Sequence, residues 1–124
     1  MKKILSIALI IVMGLMFAVQ SHLSDYWTGS TTSDYVAQPE IVTQDYKQAL
    51  IVIYNSGAQS MLYKVYGYAD NSATYYEELV SETTITASGT DTVKIANTAY
   101  TKLIVSVKWV GSATTFEISY NLKP

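Results

Sequence analysis

The chain contains no cysteine and no arginine, and only one histidine among its 124 residues. Without cysteine it can form no disulfide bond, no thiol nucleophile and no cysteine zinc site. Without arginine it lacks the side chain best suited to bidentate binding of phosphate and carboxylate. The histidine, His22, lies beside an N-terminal apolar run and is interpreted as a linker residue. The rest of the chain therefore cannot assemble a Ser-His-Asp triad or a histidine metal site.

Basic charge is also scarce. Beyond the first three residues, six lysines stand against ten acidic residues, which gives a net charge of −4. A mildly acidic surface repels polyanions, so we expect no nucleic-acid partner.

Four carboxylates fall near one predicted loop and the short strand after it: Asp70, Glu77, Glu78 and Glu82. A glycosidase needs two carboxylates across a cleft, and Ca²⁺ takes oxygen ligands. A filled sandwich of about 100 residues rarely provides such a cleft, and the calcium-loop spacing is missing. We interpret the cluster as a solvated loop and expect no enzymatic activity, no metal and no cofactor.

What the chain does have is an apolar N-terminus. Lys2 and Lys3 precede an uncharged run, Ile4–Val19, which is typical of an export signal. Its length lies between that of a secretory signal and that of a membrane-spanning helix. Two fates stay open for residues 1–23: cleavage before His22, or retention as a helical membrane anchor through residues 4–23. In either case the remainder is expected outside the cytoplasm.

Residues 24–38 are rich in Ser and Thr, and they contain Tyr26, Trp27 and Tyr35. One interpretation is a flexible tether, with its aromatic residues at a membrane interface or against a neighbour. The other is an exchanged strand that adds to the open edge of a second subunit's sheet. Under that hypothesis the three aromatic residues form an assembly segment.

Residues 39–124 alternate between apolar and polar side chains with a period of two, which predicts strands. The spacing favours an antiparallel β-sandwich of about 7–8 strands, with an up-and-down barrel as the alternative. The predicted strands cover residues 40–45, 48–55, 60–69, 75–80, 82–87, 92–96, 101–110 and 114–122.

The last two predicted strands are the clearest, and Gly111-Ser112 between them suggests a tight turn. We expect them to pair as a hairpin that dominates the core. Lys102, Ser106 and Lys108 are predicted to face solvent.

Eleven tyrosines make the chain unusually rich in this residue. Tyr66 and Tyr68 share the strand face that Lys64 marks as solvent-exposed, and Tyr75 and Tyr76 follow after the next loop. Tyrosine offers a flat apolar ring with a polar tip. Three interpretations of the four residues stay open: an ordinary pleated surface, a contact for another subunit, or a platform for sugar rings.

Five segments between residues 51 and 120 carry a family resemblance: Ile-Tyr-Asn-Ser-Gly at 53–57, Tyr-Lys-Val-Tyr-Gly-Tyr-Ala-Asp at 63–70, Glu-Thr-Thr-Ile-Thr-Ala-Ser-Gly-Thr-Asp at 82–91, Tyr-Thr-Lys-Leu-Ile-Val-Ser-Val-Lys at 100–108 and Thr-Thr-Phe-Glu-Ile-Ser-Tyr at 114–120. The pattern resembles a loose class of small β-sandwich domains in phage, prophage and surface-associated proteins. This resemblance implies a structural or attachment role on a virion or cell surface, and it transfers no functional residue.

Together these observations predict a non-enzymatic structural or interaction protein on a virion, filament or cell envelope. Its expected partners are further copies of itself or other surface proteins. The alternative is an exported carbohydrate- or receptor-binding module.

Overall fold

A computed structural model describes residues 23–70, 74–96 and 99–124. The regular structure in these ranges is entirely β. The nine strands are β1 (Leu23–Ser30), β2 (Val36–Ala37), β3 (Ile41–Val42), β4 (Gln48–Asn55), β5 (Met61–Tyr68), β6 (Tyr76–Ile85), β7 (Thr90–Ala96), β8 (Lys102–Trp109) and β9 (Thr115–Lys123). The predicted N-terminal helix lies outside the described residues. None of the described residues belongs to a helix that could span a bilayer.

The strands form two antiparallel sheets, as predicted. The first sheet has the order β1-β9-β4-β7. The second has the order β2-β8-β5-β6, and β3 pairs with the same strand, β8, as β2 does. The sandwich prediction is therefore confirmed, with nine strands in the described residues where about 7–8 were expected.

The core lies between the sheets, because β4, β5 and β9 turn alternate side chains inward. In β5, for example, Met61, Tyr63 and Val65 are buried while the residues between them are half-buried. The largest fully buried side chains are Tyr63, Phe116, Ile41, Ile51, Ile53, Met61, Leu103, Ile118, Leu122, Val65, Val105 and Val107. Both sheets contribute to this set.

The predicted hairpin of the last two strands is wrong. β8 pairs with β5 in the second sheet, whereas β9 pairs with β4 and β1 in the first. Gly111, with a φ of 82°, turns the chain from one sheet to the other. Two strands that each have one apolar face can bury those faces either as neighbours in one sheet or as members of two facing sheets. The alternation of apolar and polar residues does not distinguish these arrangements.

The interpretation of residues 24–38 as a flexible tether is also corrected by the structure. β1 pairs with β9 along its whole length, from Leu23 opposite Leu122 to Ser30 opposite Thr115. Gly29 allows a close approach, since a Cβ atom there would lie 2.8 Å from the Phe116 ring. The segment joins its own sandwich, and Trp27 packs against the core from this edge strand.

Two strand boundaries also differ from the prediction. Residues 75–80 and 82–87 were expected to form separate strands, but one strand, β6, spans most of both and accommodates register shifts against β5. The predicted first strand at 40–45 shortens to β3, because only Ile41 and Val42 pair with β8.

A buried polar network closes one end of the sandwich around Asn55. Its side-chain amide donates to the carbonyls of Gln59, at 2.6 Å, and Ile85, at 3.0 Å. Its Oδ1 accepts hydrogen bonds from the Gly57 amide and the Thr114 hydroxyl. The network ties loops from both sheets to one side chain.

Candidate functional site: the tyrosine face

The outer face of the second sheet presents a group of tyrosines. Cross-strand pairing places Tyr68 between Lys102 of β8 and Tyr76 of β6. The same pairing places Tyr66 between Ile104 and Glu78. Since cross-strand partners share a face, these side chains form two adjacent rows on the solvent side.

Three of the rings are in contact. The centroid of Tyr76 lies 5.6 Å from that of Tyr66, edge to face, and 5.5 Å from that of Tyr68, in a tilted arrangement. Both distances lie in the favourable range for aromatic pairs. Tyr76 remains 59% exposed, so the cluster is ordered but open to solvent.

Lys102 borders this cluster, and the structure corrects its predicted position. The side chain was expected to face solvent freely, yet it is only 7% exposed. Its ammonium lies 2.9 Å from the Glu40 carboxylate and 5.0 Å from the centroid of the Tyr68 ring. The aliphatic part of a lysine side chain can pack along apolar surface while its ammonium group contacts a carboxylate and an aromatic ring. These contacts explain why the Lys102 side chain is buried.

Tyr35 lies over the same outer face, at the end of the sheet away from Tyr68 and Tyr76. Its hydroxyl donates a hydrogen bond of 2.6 Å to Glu82 Oε2. The ammonium groups of Lys64 and Lys108 lie 5.0 and 5.1 Å from its ring centroid. Burial, followed by the hydrogen bond to Glu82, raises the pKa of Tyr35 above its ordinary value. We call the surface formed by Tyr35, Tyr66, Tyr68 and Tyr76 the tyrosine face.

The remaining predicted site residues lie elsewhere. Tyr75 precedes β6 and lines, with Gly67 and Tyr100, a shallow depression of about 290 Å³. Tyr26 is exposed on β1, in the first sheet. The structure thus joins three of the four predicted strip residues and leaves Tyr75 beside them.

Trp27, expected at a membrane or a neighbour, packs within its own domain. Its indole N–H donates to Gln38 Oε1 at 3.1 Å, and its ring meets Tyr120 edge to face at 6.1 Å. Of the three aromatic residues in the predicted assembly segment, only Tyr35 therefore contributes to the tyrosine face.

Sequence reasoning missed the link between Tyr35 and this face. Tyr35 lies about 30 residues from Tyr66 in the sequence, and only the short strand β2 brings it over the second sheet. The one available signal was the pair of lysines, Lys64 and Lys108, which marked the same outer face.

The chemistry of the tyrosine face is mixed. It combines aromatic rings with lysines on β5 and β8 and glutamates on β6. In the described ranges, no group of three or more His, Cys, Asp or Glu side chains is placed to hold a metal ion. Rings with polar tips and flanking charges are typical of protein interfaces.

Comparison with known proteins identifies the fold alone. No protein-family model matches the chain, and no curated protein matches it. Among solved structures, PirA superposes with a TM-score of 0.58 and 16% identity, over 78% of this chain and 92% of PirA. The periplasmic inhibitor of g-type lysozyme from Aeromonas hydrophila, PliG, gives 0.53 and 17% identity, over 84% and 89%.

The PBSX exported protein XepA gives a TM-score of 0.63 with 6% identity. The match covers 82% of this chain but only 37% of XepA. At these identities the shared property is the β-sandwich. The chain is thus similar in fold to proteins whose own descriptions place them in the periplasm or among exported proteins.

Proposed function

We propose that this chain is a non-enzymatic structural or interaction protein that works on an extracellular surface: a virion, a filament or a cell envelope. The apolar leader supports export, as does the fold shared with a periplasmic and an exported protein. The leader is either cleaved or retained as the anchor. The tyrosine face carries the proposal, because an ordered, open aromatic cluster is characteristic of contact surfaces.

The partner that fits the tyrosine face best is a second copy of the same chain. Lys108 lies on β8 at one side, whereas Glu78 and Glu82 lie on β6 at the other. A two-fold axis parallel to the strands and over β5 would place the lysine side of one copy opposite the glutamate side of the next. Such an isologous contact is self-complementary in charge.

The size of the face sets the strength of this contact. Three strands at about 4.8 Å spacing and eight residues at about 3.4 Å rise give a small patch, below the roughly 800 Å² per partner of standard interfaces. We therefore expect reversible self-association in the micromolar range or weaker.

Strand addition is a second way in which copies would join. β1 ends the first sheet, and within the described residues its outer edge pairs with no other strand. An eight-residue edge is a template for a further strand. The donated segment is then not residues 24–38 released from the domain. It is a strand of the neighbouring copy that adds beside the docked β1.

Two measurements test these contacts. Sedimentation equilibrium should show a concentration-dependent dimer that the double substitution Tyr68→Ala/Tyr76→Ala weakens at least about tenfold. The matched substitution Tyr26→Ala/Tyr54→Ala on the first sheet should leave it unchanged. Equal association of all three proteins would refute the tyrosine contact.

Hydrogen exchange of the β1 amides distinguishes strand addition from contact through the tyrosine face. If strands add at this edge, the outward amides of Leu23–Ser30 become protected when the protein is concentrated. Unchanged exchange in the associated state would exclude it.

The alternative function, a carbohydrate- or receptor-binding module, has its support on the opposite sheet. There the outer face contains a groove with open hydroxyl and amide side chains. This function is independent of self-association through the tyrosine face.

A further inference from the structure

The outer face of the first sheet contains two adjoining depressions of about 500 and 480 Å³. Leu50 and Asn121 line both, so they form one continuous groove across the sheet. Its first half is lined by Ser24, Asp25, Tyr26, Leu50, Val52, Glu117, Ser119, Tyr120 and Asn121. The prediction of a tyrosine strip on β5 and β6 gave no hint of this groove.

Strand register places the groove's side chains in rows. Tyr26 lies beside Ser119, and Ser119 lies beside Val52. The next row toward the C-terminus of β9 contains Ser24, Asn121 and Leu50. The row on the other side contains Thr28, Glu117 and Tyr54. A strip of polar side chains along β9 thus runs beside an apolar strip along β4.

The polar strip is open for a ligand. In the part of the chain that the structure describes, the side chains of Ser119, Asn121 and Glu117 form no hydrogen bond with protein groups. The backbone groups of β9 are used in pairing with β1 and β4, so these side chains are the polar groups that β9 offers on this face. Together they provide hydroxyl, amide and carboxylate groups, with both donors and acceptors.

Two tyrosine rings flank this strip. Tyr26 is 65% exposed and Tyr54 is 37% exposed. They lie two strands and two residues apart, which corresponds to about 12 Å between their Cα atoms at standard sheet spacings. A flat ring at each side and hydrogen-bonding groups between them suit a ligand with apolar ring faces and many hydroxyl groups.

We propose that this groove binds a neutral oligosaccharide. A protein partner that covered the strip with apolar side chains would leave three polar groups desolvated without partners, at a cost for each. A sugar supplies a hydroxyl for each of them. The groove carries charges of both signs: Glu117 lies on β9 between the strands of the two tyrosines, whereas Lys94 and Lys123 line the half away from Tyr26. Glu117 accepts hydrogen bonds from sugar hydroxyls and repels a carboxylate placed between the two rings.

The experiment titrates the full-length protein with four neutral tetrasaccharides: cellotetraose, maltotetraose, mannotetraose and N-acetylchitotetraose. Tetragalacturonic acid serves as an anionic probe. Amide shifts in two-dimensional NMR report the site. We expect at least one neutral sugar to shift residues of β1, β4 and β9 at up to about 10 mM, the weak end of measurable affinity. The anionic probe should not shift them.

Substitutions then locate the contact. Tyr26→Ala and Asn121→Ala should each weaken binding about tenfold or more. The control Tyr76→Ala, on the opposite sheet, should leave the sugar affinity unchanged. The proposal is overturned if no neutral sugar shifts these strands, if the anionic probe alone binds, or if Tyr76→Ala weakens binding while Tyr26→Ala does not. None of these results bears on self-association through the tyrosine face.

Discussion

The hydroxyl of Tyr63, in β5 of the second sheet, donates a hydrogen bond to the carboxylate of Asp91, in β7 of the first. The bond spans the sandwich, since Tyr63 is buried in the core and Asp91 is half-buried at its edge. Burial, and then this hydrogen bond, raise the pKa of Tyr63 above its ordinary value. In a chain without cysteine, this contact links the sheets where a disulfide often would.

Substituting Tyr63→Phe tests that link. The change keeps the ring in the core and removes only the hydroxyl, so the free energy of unfolding should fall by about 1–3 kcal/mol. Urea unfolding followed by circular dichroism measures it. Tyr54→Phe, on the outer face of β4, is the matched control and should change stability by less than about 0.5 kcal/mol. Equal effects of the two substitutions would show that the Asp91 contact contributes nothing.

Alkaline pH should unfold the protein through its tyrosines. The pKa values of Tyr35, Tyr63 and Tyr120 are raised above the ordinary 10.0, with burial as the largest cause for each. The unfolded chain therefore loses these protons first, and stability that is constant below about pH 10 falls as the pH rises further. We expect up to about 1.4 kcal/mol per pH unit from each group. Urea midpoints at several pH values measure the slope.

A shallower slope in Tyr63→Phe is the control for that prediction. A slope unchanged by the substitution would contradict the assignment of part of it to Tyr63.

The pair formed by Lys102 and Glu40 should respond unequally to the loss of each partner. Lys102 is buried, whereas the Glu40 side chain is 54% exposed. Glu40→Gln leaves the buried ammonium without its carboxylate and should cost about 1–2 kcal/mol. Lys102→Met fills a similar volume and leaves an acid that water can solvate, so it should cost less. Thermal melting of both variants measures the two losses of stability. A larger loss of stability in Lys102→Met than in Glu40→Gln would contradict this prediction.

The Asn55 network should be the most sensitive polar site in the fold. Asn55→Ala removes four hydrogen bonds and leaves the carbonyl of Ile85 buried without its side-chain donor. We expect a loss of about 2–4 kcal/mol in the free energy of unfolding. Gln44→Ala, at an exposed loop position, is the control and should be near neutral. A similar loss in both proteins would mean that the network is not stabilising.

For β5, β8 and β9 the sequence was sufficient to predict which side of the strand faces the core. In β5, apolar alternation correctly separated Met61 and Val65 from Tyr66 and Tyr68. It did not determine which strands become neighbours, because β8 and β9 bury the same kind of face whether paired or opposed. Strand order depends on contacts between residues far apart in the chain, and a single sequence does not display these.

The burial of some side chains differs from what the alternation of apolar and polar residues predicts, for a similar reason. Lys102 was assigned to solvent from its position in the alternation, yet Glu40 and Tyr68 surround it. Trp27 was expected at a membrane interface or against a neighbour, yet it contacts Tyr120 and Gln38 of its own domain. In both cases the deciding partners come from other strands or from loops brought close by folding.

The most direct test of the tyrosine contact exploits the lack of native cysteine. Lys64→Cys places one thiol on the outer face of β5, near the proposed two-fold axis, and Val52→Cys places one on the outer face of β4. Under mild oxidation, Lys64→Cys should form disulfide-linked dimers rapidly at concentrations where the protein self-associates, and Val52→Cys should remain monomeric. Equal or faster crosslinking of Val52→Cys would contradict the claim that copies meet through the tyrosine face.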